Sequence, residues 1–134
     1  MKIIKKLVFL FISVAVLSAC SNNDDNSNSH DKIEGQWYLA GANNVPGYTY
    51  NTCSSDSTIT FMDDGTMSST FYTDASGTCQ SDTGQGNWTN DGNGIYTMDI
   101  PGLGTVPGTV DFNGDSEFTF TAAGTSASLT FEKR

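Results

Sequence analysis

Residues 106–122 read Val106-Pro107-Gly108-Thr109-Val110-Asp111-Phe112-Asn113-Gly114-Asp115-Ser116-Glu117-Phe118-Thr119-Phe120-Thr121-Ala122. Apolar residues alternate with polar ones on both sides of Asn113-Gly114-Asp115: Val106, Val110 and Phe112 before it, Phe118 and Phe120 after it. Alternation with period two turns one face of a strand to a core and the other to water. Asn-Gly supplies the positive φ angles of a tight reversal. The stretch is therefore a β-hairpin, and Pro107-Gly108 marks a bulge or a sheet edge within it.

Working outward, the same punctuation recurs at Asp63-Asp64-Gly65, Asp91-Gly92-Asn93-Gly94 and Ala123-Gly124. From Ile33 onward the chain is rich in Thr, Ser, Gly and aromatics, with leucine only at Leu39, Leu103 and Leu129. That composition disfavours helices and suits half-buried strands. Eight strands are expected at roughly 35–41, 57–62, 66–73, 84–90, 94–100, 106–112, 116–122 and 126–132. The further inward residues are Trp37, Leu39, Ile59, Phe61, Met67, Phe71, Trp88, Tyr96, Met98, Ile100, Leu129 and Phe131. The opposite faces carry Thr, Ser, Asn, Glu and Asp, the pattern of a soluble all-β barrel or sandwich rather than a membrane barrel.

The first residues address the chain. Lys2, Lys5 and Lys6 precede an apolar run from Leu7 to Ala19, too short for a finished membrane span but suited to a signal segment. Leu17-Ser18-Ala19-Cys20 resembles the lipobox of bacterial lipoproteins. That resemblance implies cleavage before Cys20 and lipidation of its thiol, hence a membrane anchor through Cys20. Residues 20–31 form a polar, acidic tether that has nothing to bury. Ser21 does not resemble an inner-membrane retention signal, and the Asp/Asn-rich segment resembles export signals of surface lipoproteins in the Bacteroidota. The implied location is the outer membrane, and the likeness to surface-export signals implies exposure at the cell surface. The domain proper is expected over 32–134.

All 15 acidic residues follow Cys20 and three of the six basic ones precede it, so the portion beyond the signal carries a net −12. Such a surface excludes nucleic acid as a partner and electrostatic docking on anionic lipid. With Cys20 lipidated, Cys53 and Cys79 remain as an even pair in an oxidising compartment, and a disulfide is expected.

The first strand reads Ile33-Glu34-Gly35-Gln36-Trp37-Tyr38-Leu39. Gly35-x-Trp37, then Cys53, Phe61 with Asp64-Gly65, Cys79, and Gly86-x-Trp88 follow in an order similar to the small lipocalin-like lipoproteins of the Bacteroidota. The resemblance spans 33–134 and implies an eight-stranded antiparallel up-and-down barrel. It also implies that Trp37, after Gly35, sits at the closed base with Lys133 or Arg134 laid across it. Thr109-Val110-Asp111-Phe112 is only an echo of the second lipocalin motif, Thr-Asp-Tyr. In an up-and-down barrel, loops 42–56 and 74–83 share one end, the mouth, and bring Cys53 to Cys79. The Asp/Asn-Gly turns share the other end, the base, where the tether enters, so the mouth faces away from the membrane.

No catalytic set is present. The single histidine, His30, lies in the tether, so a nucleophile has no base, and no glycine-rich phosphate loop precedes a helix. No enzyme, cofactor or metal is expected. Asp63, Asp64, Asp91 and Asp115 fall in the base turns, where Asp-Gly and Asn-Gly serve backbone geometry before calcium. Asn43, Asn44, Gly47, Tyr48 and Tyr50 in the first loop have the mix found in protein-binding loops. The leading expectation is a small apolar ligand in a pocket lined by Phe71, Trp88, Tyr96, Met98, Ile100, Val106 and Phe120. The alternative is a solid barrel acting as a protein-interaction or structural module.

Overall fold

The computed structural model describes residues 30–134. The signal segment 1–19, Cys20 and most of the tether lie outside the described residues. Eight strands follow in chain order: β1 Gly35–Asn43, β2 Thr58–Phe61, β3 Thr66–Ala75, β4 Thr78–Gly92, β5 Ile95–Ile100, β6 Gly104–Phe112, β7 Glu117–Ala122 and β8 Ser128–Glu132. Each pairs antiparallel with the next, and β8 returns to β1, closing an up-and-down barrel. Closure needs a bend in β1. It comes from a register shift between Leu39 and Gly41 against β8, so that β1 twists from β2 toward β8.

The alternation seen in the sequence sets the inside of the barrel. Trp37, Phe61, Phe118, Phe120 and Phe131 are fully buried, together with Ile33, Leu39, Ile59 and Met98. Phe118 is the hub near the base. Its ring meets Trp37 edge-on with centroids 4.7 Å apart and stacks on Phe131 at 5.1 Å. Phe112 and Phe61 complete the set at 5.7 and 6.3 Å. Each such ring contributes about 1.5–3 kcal/mol by leaving water, and the edge-on pairs add somewhat more.

The base is plugged by the segment that leads into β1. Ile33 is fully buried, and its carbonyl accepts a hydrogen bond from Trp37 Nε1 at 2.7 Å. Asp31 ties this segment to the far wall. Its Oδ1 accepts from Tyr96 Oη at 2.8 Å and Ile33 N at 3.0 Å, and its Oδ2 accepts from Asn90 Nδ2 at 2.7 Å. Burial, and then the hydrogen bond and negative charge of Asp31, hold the Tyr96 phenol protonated well above its usual range.

At the mouth the β1–β2 connection folds over the opening. Ser54–Asp56 forms a short 3₁₀ turn, and Ser54 and Ser57 are fully buried. Tyr48 packs edge-on over Phe71 at 6.0 Å, and its hydroxyl donates to the Tyr72 carbonyl at 3.3 Å. Ser57 Oγ accepts from Tyr72 N at 2.8 Å. The Cys53–Cys79 disulfide fastens this flap to β4.

One expectation is corrected here. Residues 74–83 are not a long loop. β3 and β4 run on as a ribbon and reverse through Ser76-Gly77, with φ of 57° and 82°. Two successive positive φ angles make the tight reversal whose twist matches the strands. The ribbon escaped the sequence pattern because residues 73–83 are exposed on both faces, so no apolar period marks them. The base turns at 62–65, 93–94 and 113–116 are short, as expected.

The disulfide closes a 26-residue separation, and its loss in Cys53→Ser/Cys79→Ser is expected to cost about 3 kcal/mol in urea unfolding. The Tyr96 phenol has a pKa raised above the unfolded value of about 10. Its contribution is therefore fully present below pH 10 and fades as pH rises toward the folded value. Alkaline unfolding followed by circular dichroism should shift to higher pH in Tyr96→Phe relative to its own neutral-pH stability.

Candidate functional site

β3 and β4 pair continuously from Thr66↔Asn87 to Ala75↔Thr78. β5 keeps β4 company only from Gly92↔Ile95 to Trp88↔Met98. Beyond Trp88 the two strands part, because β5 ends at Ile100 and Pro101-Gly102 turns it back into β6, with φ of 86° at Gly102. Pro101 has no N–H to extend the ladder. A slit therefore opens in the barrel wall between the upper half of β4 and the β5–β6 turn.

Asp99 sits at the fork. Its Oδ2 accepts from Asn87 N at 2.8 Å, replacing the missing ladder bond, and its Oδ1 accepts a short hydrogen bond from Thr105 Oγ1. The Thr105 hydroxyl first, and the Asn87 amide second, hold this carboxyl below the usual carboxylate range. Gly86 makes room for it: a Cβ there would collide with the Asp99 side chain. Gly84 and Gly86 also leave the inward face of β4 bare between Asp82 and Trp88. The result is a half-open cavity of about 300 Å³, with Met67 and Ser69 on its floor and Asp82, Asp99 and Ile100 at its sides.

The seven residues expected to line a ligand pocket are not brought together around a void. Ile100 alone borders this cavity. Phe71, Met98 and Phe120 are buried against other side chains, and Val106 is half-buried beside them. Trp88 and Tyr96 lie toward the base. Trp88 Nε1 donates to the Met62 carbonyl in the β2–β3 base turn at 2.8 Å, and Tyr96 bonds to Asp31. Both have polar tips that need a partner when buried; the β2–β3 turn supplies it for Trp88 and the segment leading into β1 for Tyr96. Tyr48 covers Phe71 whereas Tyr50 points to solvent.

At the base, Gly35 has φ of 112°, where a side chain would be strained, and Trp37 is buried next to it. The cation over Trp37 is Lys133, with Nζ 4.6 Å from the ring centroid. Arg134, expected in the base motif with Gly35 and Trp37, lies instead over Tyr38 and donates to the Ser55 carbonyl at 3.1 Å. Parity decides between them, because residues one apart at a strand end project to opposite sides. The turn carboxylates Asp64, Asp91 and Asp115 have protein partners close to the base. Asp64 accepts from the hydroxyl and amide of Thr66, which lowers its pKa, Asp91 accepts from Thr89 and Thr97, and Asp115 faces Lys32. Among the described residues no three His, Cys, Asp or Glu side chains are grouped to hold a metal ion.

A family model described as lipocalin-like domain matches residues 33–105, from ahead of β1 into β6. The chain belongs to the lipocalin-like domain family. No curated protein and no solved structure matches it. Within this lipocalin-like barrel the slit was missed because its makers are two glycines and a proline turn, residues without an apolar period. The one legible trace is Gly84-Gln85-Gly86, two glycines on the same face of a strand.

Because a Cβ at position 86 meets the Asp99 carboxyl, Gly86→Ala is expected to destabilise the barrel by about 1–3 kcal/mol. In an Asp99→Ala background the same change should cost less, and a double-mutant cycle by urea unfolding reads the difference.

Proposed function

We propose that this protein is a lipid-anchored, extracytoplasmic lipocalin-like barrel that serves as a non-catalytic protein-interaction module. The supporting observation is that its axis is occupied by its own side chains. Trp37, Phe61, Phe118, Phe120 and Phe131 fill the volume in which a carrier would hold cargo. The lipobox-like Leu17-Ser18-Ala19-Cys20 and the acidic tether support anchoring at the outer membrane in the manner of Bacteroidota lipoproteins. The chain enters the barrel at the base, at residues 31–34, which supports a reading in which an anchor at Cys20 holds the base toward the membrane and the mouth away from it.

A second reading, a small ligand held at the wall, has one observation in its favour: the cavity of about 300 Å³ beside Met67, Ser69 and Ile100. That is at the lower end of ligand pockets, which are also more apolar.

Native mass spectrometry of the full-length protein, released from detergent after incubation with a lipid extract, separates the two. A covalent lipid on Cys20 stays through activation, and the expected spectrum carries nothing more. A reproducible further mass of hundreds of daltons, shed on activation, overturns the module reading in favour of the ligand.

A further inference from the structure

The upper half of β4 is an uncovered sheet edge. Trp88 N donates to the Gly65 carbonyl, on the β3 side, and Asn87 N to Asp99, on the β5 side. Strand groups alternate sides, so Gln85, Thr83, Ser81 and Cys79 turn their N–H and C=O groups away from β3. The β5 ladder stops at Trp88, and these groups face the slit and the solvent above it. Residues 78–83 and Gln85 are exposed. Sheet proteins usually protect such an edge with lysine, proline, a bulge or a short strand. Here the sequence is Thr78-Cys79-Gln80-Ser81-Asp82-Thr83-Gly84-Gln85, with none of these, in a strand of 15 residues, and its one charge is Asp82, an anion that guards the edge against acidic chains and leaves it open to a basic one. The disulfide at Cys79 and the ladder to β3 hold the edge in place without using its outer groups.

The chemistry beside the edge selects the occupant. The cavity under it is lined by Asp82 and Asp99 and, among the described residues, by no basic side chain. Met67 and Ile100 offer apolar surface between them. A side chain suited to that space has an apolar stem and a cationic head, which describes lysine or arginine. A second copy of this chain would bring a second Asp82 and the same acidic surface, which repel.

We propose that the free edge of β4 binds an extended segment of a partner protein as an added strand, with a Lys or Arg of that segment entering the cavity toward Asp82. The proposal rests on the interaction-module reading and specifies its surface. Main-chain hydrogen bonds to Ser81, Thr83 and Gln85 supply the affinity, and the cavity selects the inward side chain. Gly84 and Gly86 are part of the device, because side chains there would close the space the incoming residue needs.

The test uses full-length protein in detergent and a fluorescent seven-residue peptide of alternating Thr and Val with one central Lys. Anisotropy is expected to show saturable binding. In amide-resolved hydrogen exchange, Ser81, Thr83 and Gln85 exchange fast in the free protein and become protected with peptide. Thr83→Pro removes one outward donor without touching the β3 ladder and is expected to weaken binding about tenfold, the scale of one well-made hydrogen bond. Asp82→Lys should do the same for the lysine peptide and not for its glutamate counterpart. N-methylating the peptide on alternate amides tests the ladder without altering the protein. Equal binding of the methylated peptide, protection elsewhere, no saturable binding, or a dimer that protects these amides without peptide overturns the proposal. If the peptide fails and the native mass spectrum stays bare, the β4 edge is not the surface but the module reading survives. A shed ligand mass defeats that reading itself.

Discussion

An eight-stranded barrel encloses a nearly fixed volume, and in this chain aromatic rings fill most of it. Phe118 stands at the centre of the lower half, in contact with Trp37, Phe61, Phe112 and Phe131, so each of four other strands leans on one side chain of β7. Close packing of this kind has no slack, and its consequences reach the whole fold. Trp37 fits only with its indole N–H satisfied, so Ile33 is drawn across the base to supply a carbonyl. With Ile33 inside, Asp31 lands beside Tyr96 and Asn90 and fastens the leading segment to the opposite wall. Lys133 closes the same end over the indole face.

The upper half follows a different rule. There the strands are unequal: β4 spans 15 residues and its neighbour β5 only six. A long strand beside a short one leaves backbone groups without a partner, and a buried version of that arrangement would be unstable. The chain resolves part of it with the Asp99 carboxylate, which replaces one missing acceptor, and leaves the remainder exposed to water. The opposite side of the mouth is treated otherwise. β2 has only four residues, and the flap with its 3₁₀ turn, Tyr48 and the disulfide covers what the short strand leaves open. The two sides of one barrel therefore differ in kind, one capped and the other split.

Much of this was legible without coordinates. Period-two alternation at Ile95–Ile100, Val106–Phe112 and Phe118–Phe120 set strands and inward faces, and glycine-containing turns set their order, because both signals are local and repeat within a few residues. The Gly35-x-Trp37 opening pointed to a lipocalin-like base, and Lys133 was one of two residues considered for the place over Trp37. The site was not legible. An inward aromatic lines a pocket only if nothing opposite reaches it, and whether Trp88, Tyr96 or Phe120 meets space or another ring depends on residues from distant strands.

The sequence by itself determined the all-β class, the eight strands and the side each residue faces, since backbone pleat and turn chemistry act over neighbouring positions. The pairing of Cys53 with Cys79 followed from the even pair left once Cys20 is set aside, and the structure forms it. Only the tertiary structure decided that aromatic rings occupy the barrel axis, that β3 and β4 continue as a ribbon past the last buried residue, and that β4 leaves β5 at Trp88. These are matters of how strands of unequal length close around one volume. No stretch of chain carries that information alone, because ring meets ring and ladder meets gap only after the barrel has closed.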